Sequence, residues 1–150
     1  MLTLILDTNV VLDWLVFRDP LLAELTNAVK SNRVNLLTHD TALNELRRVL
    51  NYPTLKLDVK RQNEVYGIYQ SLCRQAIMPS GFTAQNLLTP LNFPICRDRD
   101  DQLFLALTLH AKADGLVSRD KALLALRKRV LKFGLTILDL QQMRAKAAIE

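Results

Sequence analysis

The sequence predicts a three-layer α/β/α domain with a central parallel sheet of about five short strands. Two observations carry that expectation. Short apolar runs of strand length alternate along the chain with segments whose apolar residues recur at helical spacing. The first run, LTLIL at residues 2–6, is continuous rather than alternating, as expected of a strand covered on both faces. A length of 150 residues suits one domain, and no repeat, low-complexity tract or linker divides it.

Each element has its own signal. Asp7 ends the first strand, and VVLDWLV after it reads as a short helix. PLLAELTNAVKSN carries Leu21, Leu22, Leu25 and Val29 as a helical stripe, with Pro20 favourable at its start. VNLLT at 34–38 is a second strand. DTALNELRRVL places Leu43, Leu46, Val49 and Leu50 on one helical face, with Asp40 as the expected N-cap. A long helix is expected from about Asp58 to Ala76, striped by Val65, Tyr69, Leu72 and Ala76 and weakened locally by Gly67. AIM at 76–78 suggests another strand. Residues 79–97, with Pro79, Gly81, Pro90 and Pro94, read as one long loop, a type that is usually functional or mobile. RDRDDQLFLALTLHA starts a helix running to about Ala113. GLVS at 115–118 is a strand, KALLALRKRV a helix, LTIL at 135–138 a strand and DLQQMRAKAAI the last helix.

Apolar residues make up 49% and charged residues 23%, which excludes a disordered or fibrous chain. The N-terminal MLTLILDTNVVLDWLVF has no basic n-region and no small-residue cleavage site. Asp7, Asn9 and Asp13 break its apolar run, so neither a signal peptide nor a membrane span is expected. Cys73 and Cys96 form no CxxC pair and fit a reducing, cytoplasmic setting, with a single disulfide left open. Trp14, Phe17 and Leu21 are assigned to the core by default.

Charge is more informative by its distribution than by its total of +5. Setting aside Asp7, Glu45, Asp98, Asp100, Asp101 and Asp120 leaves 9 acids against 20 bases. A basic body around an acidic pocket suits a metal-dependent enzyme acting on a polyanion. In a parallel α/β sheet, ligands bind beyond the carboxyl ends of the strands. Asp7 follows the first strand, Asp120 follows GLVS, Glu45 lies one to two turns into the helix after the second strand, and Asp98, Asp100 and Asp101 start the helix before GLVS. All reach the same edge of the sheet.

Capping alone explains any one of these aspartates, because helix starts in such a fold share that edge. It does not explain Glu45, which lies inside its helix beside the apolar stripe, or three aspartates within four residues. Crowded carboxylates repel unless protons or cations neutralise them. Hard divalent cations are the natural neutraliser, and without a His/Cys set, Mg²⁺ or Mn²⁺ is expected over zinc. His39 and His110 stand alone and read as structural or surface residues. With two cations about 3.5–4 Å apart, the chemistry suggested is in-line phosphodiester hydrolysis; the number of metals stays open.

The pieces LILDTNVVL, TALNELRRVL, RDRDDQLFLALTLHA, GLVSRDKALL and LTILDLQQM, in that order, resemble the PIN-domain nuclease family across nearly the whole chain. The resemblance implies a PIN-like fold with Asp7, Glu45, Asp101 and Asp120 as metal-binding catalytic acids. It puts Thr8 and Asn9 in a polar pair beside the metal. Asp98 and Asp100 resemble the Asp-x-Asp-Asp variant of a VapC-like subgroup of toxin–antitoxin toxins. That variant usually has Pro where this chain has Arg99, which leaves open which of the three aspartates binds metal. Further implications are Mg²⁺- or Mn²⁺-dependent ribonuclease activity, an RNA substrate, an antitoxin protein as inhibitor, and a homodimer.

Other readings predict different residues. A phosphatase of the haloacid-dehalogenase type needs a second acid two residues after the first, where this chain has Asn9. A receiver-like domain fits the order of acids poorly. A structure-specific DNA nuclease usually carries long insertions that 150 residues leave little room for. A PIN-like interaction or RNA-binding domain that has lost activity is the rival of another class. Among the bases, Arg127, Lys128, Arg129 and Lys132 read as a solvated helix face. Arg97, Arg99, Arg119 and Lys121 flank the acids and are placed to orient phosphates or offset charge, with Ser118 beside them.

Overall fold

The computed structural model describes residues 1–88, 91–96 and 98–149. Its sheet consists of β1 (Leu2–Leu6), β2 (Val34–Thr38), β3 (Cys73–Gln75), β4 (Gly115–Val117) and β5 (Ile137–Leu138). The strands lie in the order β3-β2-β1-β4-β5, and every adjacent pair is parallel. Parallel neighbours need crossovers, which helices supply. They are α1 (Thr8–Leu15), α2 (Leu25–Lys30), α3 (Asp40–Leu50), α4 (Val59–Leu72), α5 (Ala84–Leu88), α6 (Arg99–Ala111), α7 (Lys121–Leu124), α8 (Arg127–Val130) and the closing α9 (Leu140–Ile149).

The three layers follow from strand periodicity, because successive side chains face opposite sides of a sheet. Leu2, Leu4 and Leu6 of β1 enter one core with Val10 and Trp14 of α1, Leu43 and Leu46 of α3, Val65 and Tyr69 of α4 and Met143 of α9. Ile5 faces the other way, into a core with Phe104, Leu105 and Leu107 of α6, Leu123 and Val130. In β4, Leu116 joins the second core and Val117 the first, and Ile137 and Leu138 of β5 divide in the same way. A central sheet buried on both faces accounts for the unbroken apolar run at 2–6. No helix among the described residues is long and apolar enough to cross a membrane.

The strand order fixes where a site can form. From β1 the chain moves outward to β2 and β3, then returns to place β4 on the other side of β1. Connections therefore diverge at the carboxyl ends of β1 and β4, the crevice where open α/β sheets bind ligands. The pairing of Leu6 with Val117 is the last of the β1–β4 register. Beyond it the Asp7 N–H donates to the Val117 carbonyl at 3.1 Å, so Asp7 and Ser118 leave the sheet side by side.

Several elements differ from the sequence expectation. The segment starting at Pro20 is a 3-10 turn over Pro20–Leu22 followed by the short α2, not one helix. His39, not Asp40, caps α3: its Nδ1 accepts the Thr41 N–H at 3.3 Å, while Asp40 accepts from Gln75 Nε2 at 2.6 Å. The long helix ends at Leu72, and the strand expected at 76–78 lies at Cys73–Gln75, immediately after it. Residues 79–97 include α5 rather than one irregular loop; Pro90 and Arg97 lie outside the described residues. KALLALRKRV is split into α7 and α8, and the last strand is only Ile137–Leu138. Trp14 is buried and donates from Nε1 to Thr26 Oγ1 at 3.2 Å, and Leu21 packs partly buried, but Phe17 is 60% exposed. Both cysteines are free.

Candidate active site

Four elements deliver carboxylates to one cleft. Asp7 is the N-cap of α1, and its Oδ1 accepts the Val10 N–H at 3.0 Å. Asp98 caps α6 by accepting the Asp100 N–H at 2.8 Å. With the cap supplied by Asp98, Asp100 and Asp101 fall in the first turn of α6, where the helix dipole favours negative charge. Asp120 caps α7 by accepting the Ala122 N–H at 2.8 Å. Glu45 stands inside α3 and accepts from Thr8 Oγ1 at 2.7 Å. Together Asp7, Thr8, Asn9, Glu45, Asp98, Asp100, Asp101 and Asp120 line a cleft of about 70 Å³, floored by Val49 and Phe104. Capping and site formation are thus not alternatives here, since Asp7, Asp98 and Asp120 do both.

The remaining expected residues lie around the cleft. Ser118 is fully buried beneath it; its Oγ donates to Asp7 Oδ2 and accepts the Asp120 N–H at 3.0 Å. Arg119 is paired with a carboxylate outside the cleft lining. Its Nε lies 2.8 Å from the buried Asp13 Oδ2. Arg99 lines a separate, larger cavity of about 510 Å³ with Leu88, Phe93, Cys96 and Gln102. That cavity has no carboxylate in its lining, so chemistry rather than size singles out the small cleft. Lys121 is exposed at the start of α7, and Arg97 lies outside the described residues.

Crowding is visible in the acidities. Burial pushes Asp7 up to about 6, despite the hydrogen bonds from Ser118 and Val10 that pull it down. Asp101 rises to about 7, first through burial, then through the charge of Asp120 and a hydrogen bond with it. Glu45 also rises to about 7, through burial and then the nearby Asp100, against the lowering effect of Thr8. In all three the first cause is burial, with neighbouring carboxylates adding to it.

Sequence reasoning missed two participants. Asp13 is 4% exposed on α1, and its one sequence signal was an acid inside an apolar stretch. Arg48 lies one turn beyond Glu45 and sits 3.0 Å from Asp100 Oδ2; nothing in its surroundings in the sequence distinguishes it.

The donor set, all carboxylates with no His or Cys in the lining, fits a hard divalent cation in kind. Among the described residues, however, no three acidic, His or Cys side chains converge as a ready-made ligand group. Ser118 and Val10 hydrogen-bond the Asp7 oxygens, and Thr8 hydrogen-bonds one oxygen of Glu45.

Comparison with curated proteins finds no match. Comparison with protein families finds that the PIN domain matches residues 3–122. That span runs from the first strand through α7 and includes every residue lining the acidic cleft. The five-stranded parallel sheet between two helical layers and the acids at its switch point agree with it, and the chain belongs to the PIN-domain family.

Proposed function

We propose that this chain is a divalent-metal-dependent endoribonuclease that hydrolyses RNA phosphodiester bonds. The observation that carries the reading is the cleft of carboxylates drawn from four elements, three of them pushed toward neutrality by burial and one another. Asp7, Glu45, Asp101 and Asp120 would hold Mg²⁺ or Mn²⁺, with Asp100 and Asp98 as additional donors. A bound cation supplies an activated water and charge stabilisation at the leaving oxygen. Ser118 orients Asp7 and Thr8 orients Glu45. The basic surface, +11 once the six site acids are set aside, draws in the polyanion. The toxin role, with an antitoxin partner and a homodimer, rests on the family likeness, with RDRDDQLFLALTLHA resembling the toxin subgroup, and the cytoplasmic setting on the two free cysteines.

Purified protein is expected to cleave single-stranded RNA with Mn²⁺ or Mg²⁺ and to stop on chelation. Asp7→Asn and Asp101→Asn should each abolish cleavage without unfolding the chain; parent-like cleavage by both would remove the site assignment. A catalytically inactive interaction or RNA-binding domain is the second reading, favoured by the lack of a converged ligand group among the described residues. It wins if titration calorimetry detects no divalent ion at millimolar concentration.

A further inference from the structure

Asp13 occupies an interior position of α1 among Val10, Val11, Leu12 and Trp14, all buried. A carboxylate left alone in such surroundings is strongly unfavourable. Its ion-pair partner is Arg119, with Nε 2.8 Å from Oδ2. That N–H is not aligned on the oxygen, and Oδ2 has no hydrogen bond among the described residues, so charge holds the contact. The Arg119 side chain is itself 56% exposed, so water on that side screens the pair and limits what it adds to stability. An apolar residue at position 13 would stabilise the fold at least as well. Stability therefore does not account for this pair.

Its position does. Arg119 stands between Ser118, which donates to Asp7, and Asp120, whose N–H is bound by Ser118 Oγ. The turn from β4 to α7 is thus fastened to α1 at two points, at the helix N-cap through Asp7 and near the helix end through Asp13. Asp120 follows the second fastening directly, and its carboxylate lines the cleft with Asp7 and Asp101.

We propose that Asp13 and Arg119 are a positioning pair that clamps the 118–120 turn onto α1 and so holds Asp120 against Asp7 and Asp101. The inference rests on the reading of the cleft as a cation site, but one readout does not need a cation. Outer partners that orient metal ligands typically change affinity about 10–100-fold when lost.

The sign of the effect separates positioning from plain electrostatics. Arg119→Gln deletes a positive charge beside an acidic cleft, so through the field alone it would tighten cation binding. A broken clamp weakens it. Isothermal titration of Mn²⁺ into the full chain should show Arg119→Gln weaker by about tenfold or more. Asp13→Asn, nearly isosteric, should be weaker by a similar factor, and the double variant no weaker than either single one. Amide hydrogen exchange should quicken at Asp120 in both variants; melting should stay close to the parent's in Asp13→Asn, whereas Arg119→Gln, which leaves the buried carboxylate unpaired, should melt lower. Unchanged or tighter Mn²⁺ binding with unchanged exchange in Arg119→Gln overturns the clamp and leaves the cation site standing. A parent that takes up no Mn²⁺, together with quickened exchange in the variants, overturns the cation reading and leaves the clamp.

Discussion

The two halves of the cleft carry similar carboxylates but neutralise them differently. On the sheet side, Asp7 accepts from a hydroxyl and an amide and Asp120 from an amide, and none of Asp7, Asp101 and Asp120 has an ion pair among the described residues. On the α3 side, Thr8 steadies Glu45, and Arg48 pairs with Asp100 at the cleft's outer edge. The sheet side holds no ion pair among the described residues; the α3 side holds one at its outer edge, yet Glu45 behind it is raised to about 7, as Asp101 is. This asymmetry bears on the three clustered aspartates: Asp98 caps, Asp100 faces Arg48, and Asp101 turns inward beside Asp120. Of the three, Asp101 alone is buried, which supports its place among the acids of the proposed function.

The largest expected effect contrasts the halves directly. Asp7→Asn should lower cation-dependent RNA cleavage by at least about 100-fold, whereas Asp100→Asn should cost no more than about tenfold, the scale of an outer partner. Initial rates at saturating Mn²⁺ measure both, and equal losses would erase the distinction between the halves.

A pH series sharpens it further. Asp7 titrates at about 6 rather than 3.8, and Asp101 at about 7. An acid whose folded pKa is raised binds more protons folded than unfolded between those values. Its stabilising contribution is complete below about pH 4 and is lost as pH rises through 6 to 7. Without divalent ions, the melting temperature should therefore fall from pH 5 to pH 8 through these groups. Millimolar Mn²⁺ should recover the loss at pH 8, because a ligand bound only by the folded state stabilises it. A flat profile in chelator would show the sheet-side acids to be better compensated than the geometry indicates.

The smallest effect belongs to the balanced half. Arg48→Ala breaks a solvent-exposed, well-screened pair and should shift thermal melting only slightly. A larger shift would mean that Arg48 is needed to tolerate Glu45 and Asp100 together.

Much of this arrangement was legible because it is local. The apolar run at 2–6, the stripes of α3 and the acids after strands all express constraints within a few residues. The misplacements occurred where local signals conflict with packing. The pattern around Val65 and Tyr69 continues to Ala76, yet the chain leaves the helix at Cys73 to pair with Leu36 at the sheet edge. His39 took the cap because Asp40 was already engaged by Gln75. The Asp13–Arg119 and Arg48–Asp100 pairs join residues far apart in the chain, and no spacing rule announces them.

The Ser118–Asp7 hydrogen bond joins residues 111 positions apart. During synthesis, Asp7 and Glu45 emerge early, but the wall that completes their cleft appears only once β4 and Asp120 have been made. A chain stopped before Asp98 carries two of the six acids and no completed cleft. If cleavage of RNA is the activity, the topology delays it until β4 and Asp120 have been made.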